Sequence, residues 1–402
     1  MNNELPPPIL VQDRAGLGRL LADLATQREI AVDTEADSFF SYREKVCLIQ
    51  ITVEERDYLV DPLSGLELEP LGEILADPSK EKIFHDGEYD VLILKRRFGF
   101  AFAGLFDTRV AAAALGIEQP GLASVLKSRF SIELDKSMQR SDWSQRPLSP
   151  RQIAYARLDT RFLIPLARAQ KAELDQRGRM CIVEGECRRL EQLVPAANAF
   201  DPDDYARIPG VRGLRGPGRR ALRELFVLRD RLAADADVPP FKVLHNDALL
   251  ALAGAIDARP DSIVEAVRGA GRQAARHAHE IEAALRRAAE LGPIDRLPAP
   301  APRDGTGDLG EAELELHDRL KDWRRRRAER EGLDSSLVLN RHVLLRLARE
   351  KPRTVEGLAR VEGLLDWQIA AFGAELVQCI EEALREFQSA PPRPRRRKKF
   401  RG

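Results

Sequence analysis

Glu29-Ile30-Ala31-Val32-Asp33-Thr34-Glu35 is an apolar run that ends in two carboxylates one residue apart. The apolar residues before Asp33 predict a buried strand, and side chains at i and i+2 of a strand leave the same face. Asp33 and Glu35 therefore aim together. Two carboxylates so placed repel each other unless a cation lies between them, and hard oxygen donors suit a divalent metal. A solvated strand end is the other reading of the pair taken alone, so the rest of the chain has to decide.

Working outward, Val46-Cys47-Leu48-Ile49-Gln50-Ile51 and Tyr58-Leu59-Val60 are strand-like and joined by short polar connections, which predicts a three-stranded antiparallel meander with the first strand. The period then changes. Leu66 to Leu75 is helical, Lys82 to His85 a strand, Tyr89 to Arg97 a helix, Leu105-Phe106-Asp107 a strand, with helices from Thr108 onward. A hairpin-linked trio followed by strand–helix alternation implies a mixed α/β sheet flanked by helices. Ser149-Pro150 fits an N-cap and first helical position, and Tyr155 and Asp159, four apart, share one face of the helix that follows.

The 402 residues are enough for two or three domains. Lys+Arg and Asp+Glu number 64 each, but Pro391 to Gly402 holds seven basic groups and no acid, leaving −7 upstream. A basic tail on an acidic body points to a polyanion partner, although a merely solvated tail is the alternative. No apolar run reaches membrane-helix length, and the N-terminus lacks a basic segment followed by an apolar one. Cys47, Cys181, Cys187 and Cys379 form no C-x2-C pair, so a reduced cytoplasmic protein is expected.

The Gly- and Arg-rich stretch 210–220 lacks the Gly-Lys-Ser/Thr ending of a nucleotide-cradling loop and is expected to be a linker, with phosphate contact as the alternative. Val243-Leu244 and Leu249 to Ala253 recur at one offset as Val338-Leu339 and Leu344 to Ala348, and Pro260-Asp261-Ser262-Ile263 resembles Pro352-Arg353-Thr354-Val355. Two copies of one small helical domain follow. Arg324 to Arg327 and the tail flank the second copy, which favours nucleic-acid binding over pure packing. The expected divisions are 1–180, a connecting helix and linker over 181–220, a helical domain over 221–292, a Pro/Gly-rich linker over 293–310, a second helical domain over 311–388, and a tail over 389–402.

His85-Asp86-Gly87-Glu88-Tyr89-Asp90 follows a strand and opens a helix, where the dipole favours acids. Asp33-x-Glu35, Asp90 and Tyr155-x3-Asp159 together resemble the three exonuclease motifs of the DEDD superfamily in its tyrosine subclass. Leu48-Ile49-Gln50, Phe106-Asp107-Thr108, Ser141-Asp142-Trp143, Arg146-Pro147-Leu148 and Tyr155 to Thr160 narrow the likeness to bacterial ribonuclease D, and the paired helical domains resemble its HRDC domains. The resemblance implies an RNase H-like mixed-sheet α/β exonuclease domain followed by two small all-α HRDC-type domains. It assigns Asp33, Glu35, Asp90 and Asp159 as metal-binding carboxylates and Tyr155 as the residue that orients the attacking water. Asp90 is chosen over Asp86 because the family spaces His and Asp as His85 and Asp90 are spaced.

Two divalent ions roughly 4 Å apart activate water and stabilise the leaving oxygen in attack on phosphorus, and all-oxygen ligation suits Mg2+ or Mn2+ rather than zinc. The implied activity is 3′→5′ removal of nucleoside 5′-monophosphates from RNA with a free 3′-hydroxyl, tRNA precursors being the implied substrates. A DNA exonuclease and a non-catalytic nucleic-acid-binding scaffold are the alternatives. No membrane and no protein partner are implied.

Overall fold

The computed structural model describes residues 6–54, 56–195, 200–259, 263–269, 271–298 and 309–389. The Pro260-Asp261-Ser262 half of the repeat match, residues 299–308 and the basic tail lie outside them.

The first layer is a six-stranded sheet formed by β1 (Ile9–Val11), β2 (Glu29–Ala36), β3 (Val46–Val53), β4 (Arg56–Val60), β5 (Glu81–Phe84) and β6 (Leu105–Asp107) in the order β1-β4-β3-β2-β5-β6. The expected meander is present: β2 pairs antiparallel with β3, and β3 with β4. The outer pairings, β1 with β4, β2 with β5 and β5 with β6, are parallel. Every residue of β3 is buried, as befits a largely apolar central strand covered on both faces, and the burial includes the polar Gln50 and Thr52.

Helices α1 (Arg14–Thr26), α2 (Glu69–Ala76), α3 (Glu88–Phe98), α4 (Thr108–Ala114), α5 (Leu122–Phe130), α6 (Pro150–Arg161), α7 (Leu163–Gln176) and α8 (Met180–Gln192) surround the sheet. Ser149 caps α6 and forms a reciprocal capping box with Gln152, with Pro150 in the first turn. A buried polar chain then fixes α6 on the sheet. Arg157 binds Asp57 through Nε at 3.1 Å and Nη2 at 2.6 Å, Thr52 Oγ1 donates to Asp57 at 2.9 Å, and the Thr160 hydroxyl lies 2.7 Å from that of Thr52. Since the Thr52 proton is committed to Asp57, Thr160 is the donor to Thr52.

The remaining helices form two bundles. The first contains α9 (Gly216–Asp235), α10 (Pro240–Val243), α11 (Asn246–Ala258), α12 (Ile263–Gly269), α13 (Gly271–Arg276) and α14 (Ala278–Leu291); the second contains α15 (Glu311–Glu331), α16 (Ser335–Val338), α17 (Arg341–Glu350), α18 (Val355–Leu358) and α19 (Asp366–Ser389). The repeat is structural. Leu244 and Leu339 both leave a one-turn helix in extended conformation, with φ −146° and −155°, before α11 and α17 begin.

The Gly/Arg-rich stretch corrects its reading as a linker. Val211 and Leu214 enter the first bundle's core, and Asp257 accepts from the backbone N–H groups of Arg215 at 2.8 Å and Gly218 at 3.1 Å. A Cβ at Gly218 would sit 2.8 Å from Asp257 Cβ, so that glycine serves helix contact rather than chain freedom.

The two bundles are attached differently. The second shares one continuous apolar core with the sheet layer, whereas the first has its own. Trp367 of α19 lies against Gly185 of α8, where a Cβ would come within 2.5 Å of the indole. The first bundle meets the β2–β3 loop through Tyr42, which packs against the edge of its core and donates to Asp230 at 2.8 Å, through Lys45 paired with Asp237 at 2.9 Å, and through Lys242, 4.3 Å from the Phe40 ring centroid.

Candidate active site

Asp33 and Glu35 leave the end of β2, in register with Gln50 and Leu48 of β3, just before a register shift at Ala36. Across from them α6 presents Tyr155 and Asp159, and the first turn of α3 presents Asp90. All five residues line one cavity of about 600 Å³, whose walls also include His85, Arg109, Lys136 and Arg140. Asp33, Glu35 and Asp159 offer oxygens within 4.8 Å of one another. Asp90 lies outside that trio; it is buried, and Thr34 Oγ1 donates to it at 2.5 Å. Asp86, the alternative to Asp90, instead sits in a left-handed turn at φ 64° and pairs with Arg109 at 3.4 Å.

These acids resist ionising together. Burial first, then the charges of Asp159 and Asp90, push the Glu35 carboxyl up to about 9. Asp159 is pushed up to about 7 by burial and Asp90. Asp90 reaches only about 6 because the Thr34 hydroxyl partly offsets its burial. Asp33 is raised well above the carboxylate range by burial and by all three neighbouring acids. One Asp159 oxygen, Oδ2, is buried with no hydrogen-bond partner. Crowded, proton-retaining, all-oxygen donors with an orphaned carboxylate oxygen fit a hard divalent cation.

Tyr155 packs its ring 5.9 Å from Trp143. Burial and the acids Asp159, Glu35 and Asp33 raise its hydroxyl above the ordinary 10, so it stays a phenol.

Two supports of the site were hidden behind motifs quoted only for their likeness. Asp107 is buried and accepts four backbone N–H groups, from Asp86 at 3.1 Å, Gly87 at 2.8 Å, Arg109 at 2.8 Å and Val110 at 3.1 Å. It ties the turn before Asp90 to the start of α4. A strand-end Asp followed by Thr before a helix is an N-cap signal, so this role was findable. Thr108 Oγ1 donates to the Phe84 carbonyl at 2.9 Å and so accepts from His85 Nδ1 at 2.9 Å. That fixes the tautomer and leaves His85 Nε2 a buried acceptor without a partner. Burial pushes the imidazole down to about 4, so it is neutral.

A 3′-5′ exonuclease family model matches residues 8–175, and an HRDC domain model matches residues 219–285 and 313–380. Fold and site together define a divalent-metal 3′-5′ exonuclease followed by HRDC domains. Ribonuclease D of Acidiphilium cryptum is 33% identical over 66% of this chain and 67% of that protein. The exosome complex exonuclease RRP6 of Saccharomyces cerevisiae is 35% identical over 61% of this chain, but the match spans only 36% of that longer protein. Among solved structures, Escherichia coli RNase D, an exoribonuclease involved in structured RNA processing, superposes with a TM-score of 0.67 at 26% identity, covering 95% of this chain and all of that one. The chain belongs to the ribonuclease D family and is a 3′-5′ exoribonuclease.

Proposed function

We propose that the cavity releases nucleoside 5′-monophosphates one at a time from RNA 3′-hydroxyl ends, with two divalent cations, Mg2+ or Mn2+, held by Asp33, Glu35, Asp90 and Asp159. The observation that carries this is the convergence of four acids and a phenol on one cavity, one acid oxygen being buried without a partner. When bound, the cations supply charge neutralisation of the scissile phosphate and lower the pKa of water. Tyr155, kept protonated, hydrogen-bonds the attacking water and orients it toward phosphorus. Water adds to the terminal phosphorus, the bond to the preceding 3′-oxygen breaks, and that oxygen takes up a proton.

Residues 1–180 carry a net −4, so attraction for RNA has to come from particular cations. Arg109, Lys136 and Arg140 supply it at the cavity wall, and the basic tail, with seven cations and no acid, supplies it further out. Precursors of tRNA and other structured RNAs are the substrate class within this reading, and the cytoplasm is the site of action. Among the described residues no helix is long and apolar enough to cross a membrane.

End-labelled RNA bearing a 3′-hydroxyl or a 3′-phosphate, digested with Mg2+ or Mn2+ beside a matched DNA strand, tests polarity, end chemistry and metal together. Asp33→Ala and Asp159→Ala are expected to abolish monophosphate release while RNA binding persists. Full activity in either variant overturns the assignment.

A further inference from the structure

Gln50 has no part in the site as described, yet it is fully buried on β3, and neither Oε1 nor Nε2 has a hydrogen-bond partner. An unpaired buried amide opposes folding, and an apolar side chain would fill the same space without that penalty. Its position is specific. Gln50 is the direct register partner of Asp33, so the two side chains leave the same face of the sheet. That face is covered by α6, because Thr52, two residues along β3, meets Thr160 at 2.7 Å. Asp159 immediately precedes Thr160, and its Oδ2 is likewise buried without a hydrogen-bond partner. The nearby hydroxyl protons are already used, Thr52 donating to Asp57 and Thr160 to Thr52. An unsatisfied donor and an unsatisfied carboxylate oxygen thus lie under one helix, beside Asp33.

We propose that Gln50 is a positioning residue of the metal site, its carboxamide N–H donating to the Asp159 carboxylate beside Asp33 as those acids take up divalent cations. This rests on reading Asp33 and Asp159 as cation ligands. A ligating carboxylate whose second oxygen is hydrogen-bonded is held in one orientation, and loss of such a partner typically lowers metal affinity about 10–100-fold. Leu48 and Thr52, on the same face, cannot substitute: one is apolar and the other's hydroxyl is bound to Asp57.

The test uses the full chain carrying Gln50→Leu or Gln50→Met, two apolar replacements of similar volume. Mn2+ affinity is measured by calorimetry, and urea denaturation in EDTA reports the metal-free fold. Mn2+ affinity is expected to fall about 10–100-fold in both variants, while the EDTA midpoint stays level or rises because an unpaired polar group has gone. Wild-type Mn2+ affinity in both variants overturns the proposal. So does a drop in EDTA midpoint that accounts for the lost affinity, since Gln50 would then be a packing residue. Wild-type protein that takes up no Mn2+ overturns the cation site itself, and the proposal with it.

Discussion

Glu35→Gln converts the crowding of acids into a measurable quantity. The amide keeps the shape of the carboxyl but has no proton to lose. In the metal-free protein the Glu35 proton leaves near pH 9, against an ordinary 4.5, because burial and the charges of Asp159 and Asp90 oppose ionisation. With the folded value raised, the unfolded chain sheds its proton first, so stability falls as pH climbs from 4.5 toward 9. At about 1.4 kcal/mol per pH unit, the span up to pH 7 amounts to about 3 kcal/mol. The substitution is therefore expected to stabilise the metal-free protein by about 3 kcal/mol at pH 7, by less than about 1 kcal/mol at pH 5, and by nothing below pH 4. Urea denaturation in EDTA, followed by circular dichroism at several pH values, reads this directly. In saturating Mn2+ the order reverses, because the wild type gains ligand-binding stability that the variant has weakened. A variant less stable than wild type in EDTA at pH 7, or a difference that ignores pH, refutes the electrostatic account.

Asp107→Ala strips four backbone N–H groups of their acceptor and is expected to lower stability by about 3 kcal/mol or more in thermal denaturation. Exonuclease activity should fall further than the residual fold explains, since the turn that aims Asp90 loosens. Gly185→Val drives a methyl into the Trp367 ring and is expected to cost about 1–3 kcal/mol, with limited proteolysis releasing the second bundle before the first.

The meander and the site's outline were legible because each depends on local period. Asp33 and Glu35 share a face by the two-residue repeat of a strand, Tyr155 and Asp159 by the four-residue repeat of a helix, and Ser149-Pro150 announces the helix between them. β1 was not anticipated: three residues after Pro6-Pro7-Pro8 are too few to show alternation, and its parallel pairing with β4 is set by distant sequence. The stretch 210–220 misled because a glycine required by a close helix approach is spelled like a glycine in a loose connection. Only the nearness of Asp257 to Gly218 separates the two. The orphaned amide of Gln50 and the fixed tautomer of His85 were not legible for a related reason. Their meaning lies in which polar atoms are satisfied, and that is decided by neighbours far along the chain.

The unequal seating of the two helical bundles bears on how each can vary. In the second, the indole of Trp367 and the bare α-carbon of Gly185 depend on one another, so a substitution on either side is tolerated only with a compensating change across the junction. The first, with a core of its own, is seated on the β2–β3 loop by the ends of a few side chains, Tyr42 and Lys45 among them, and among the described residues no glycine faces a ring across that junction. Single substitutions are therefore expected to be tolerated more readily where the first bundle meets the rest of the chain than at the Gly185–Trp367 junction of the second.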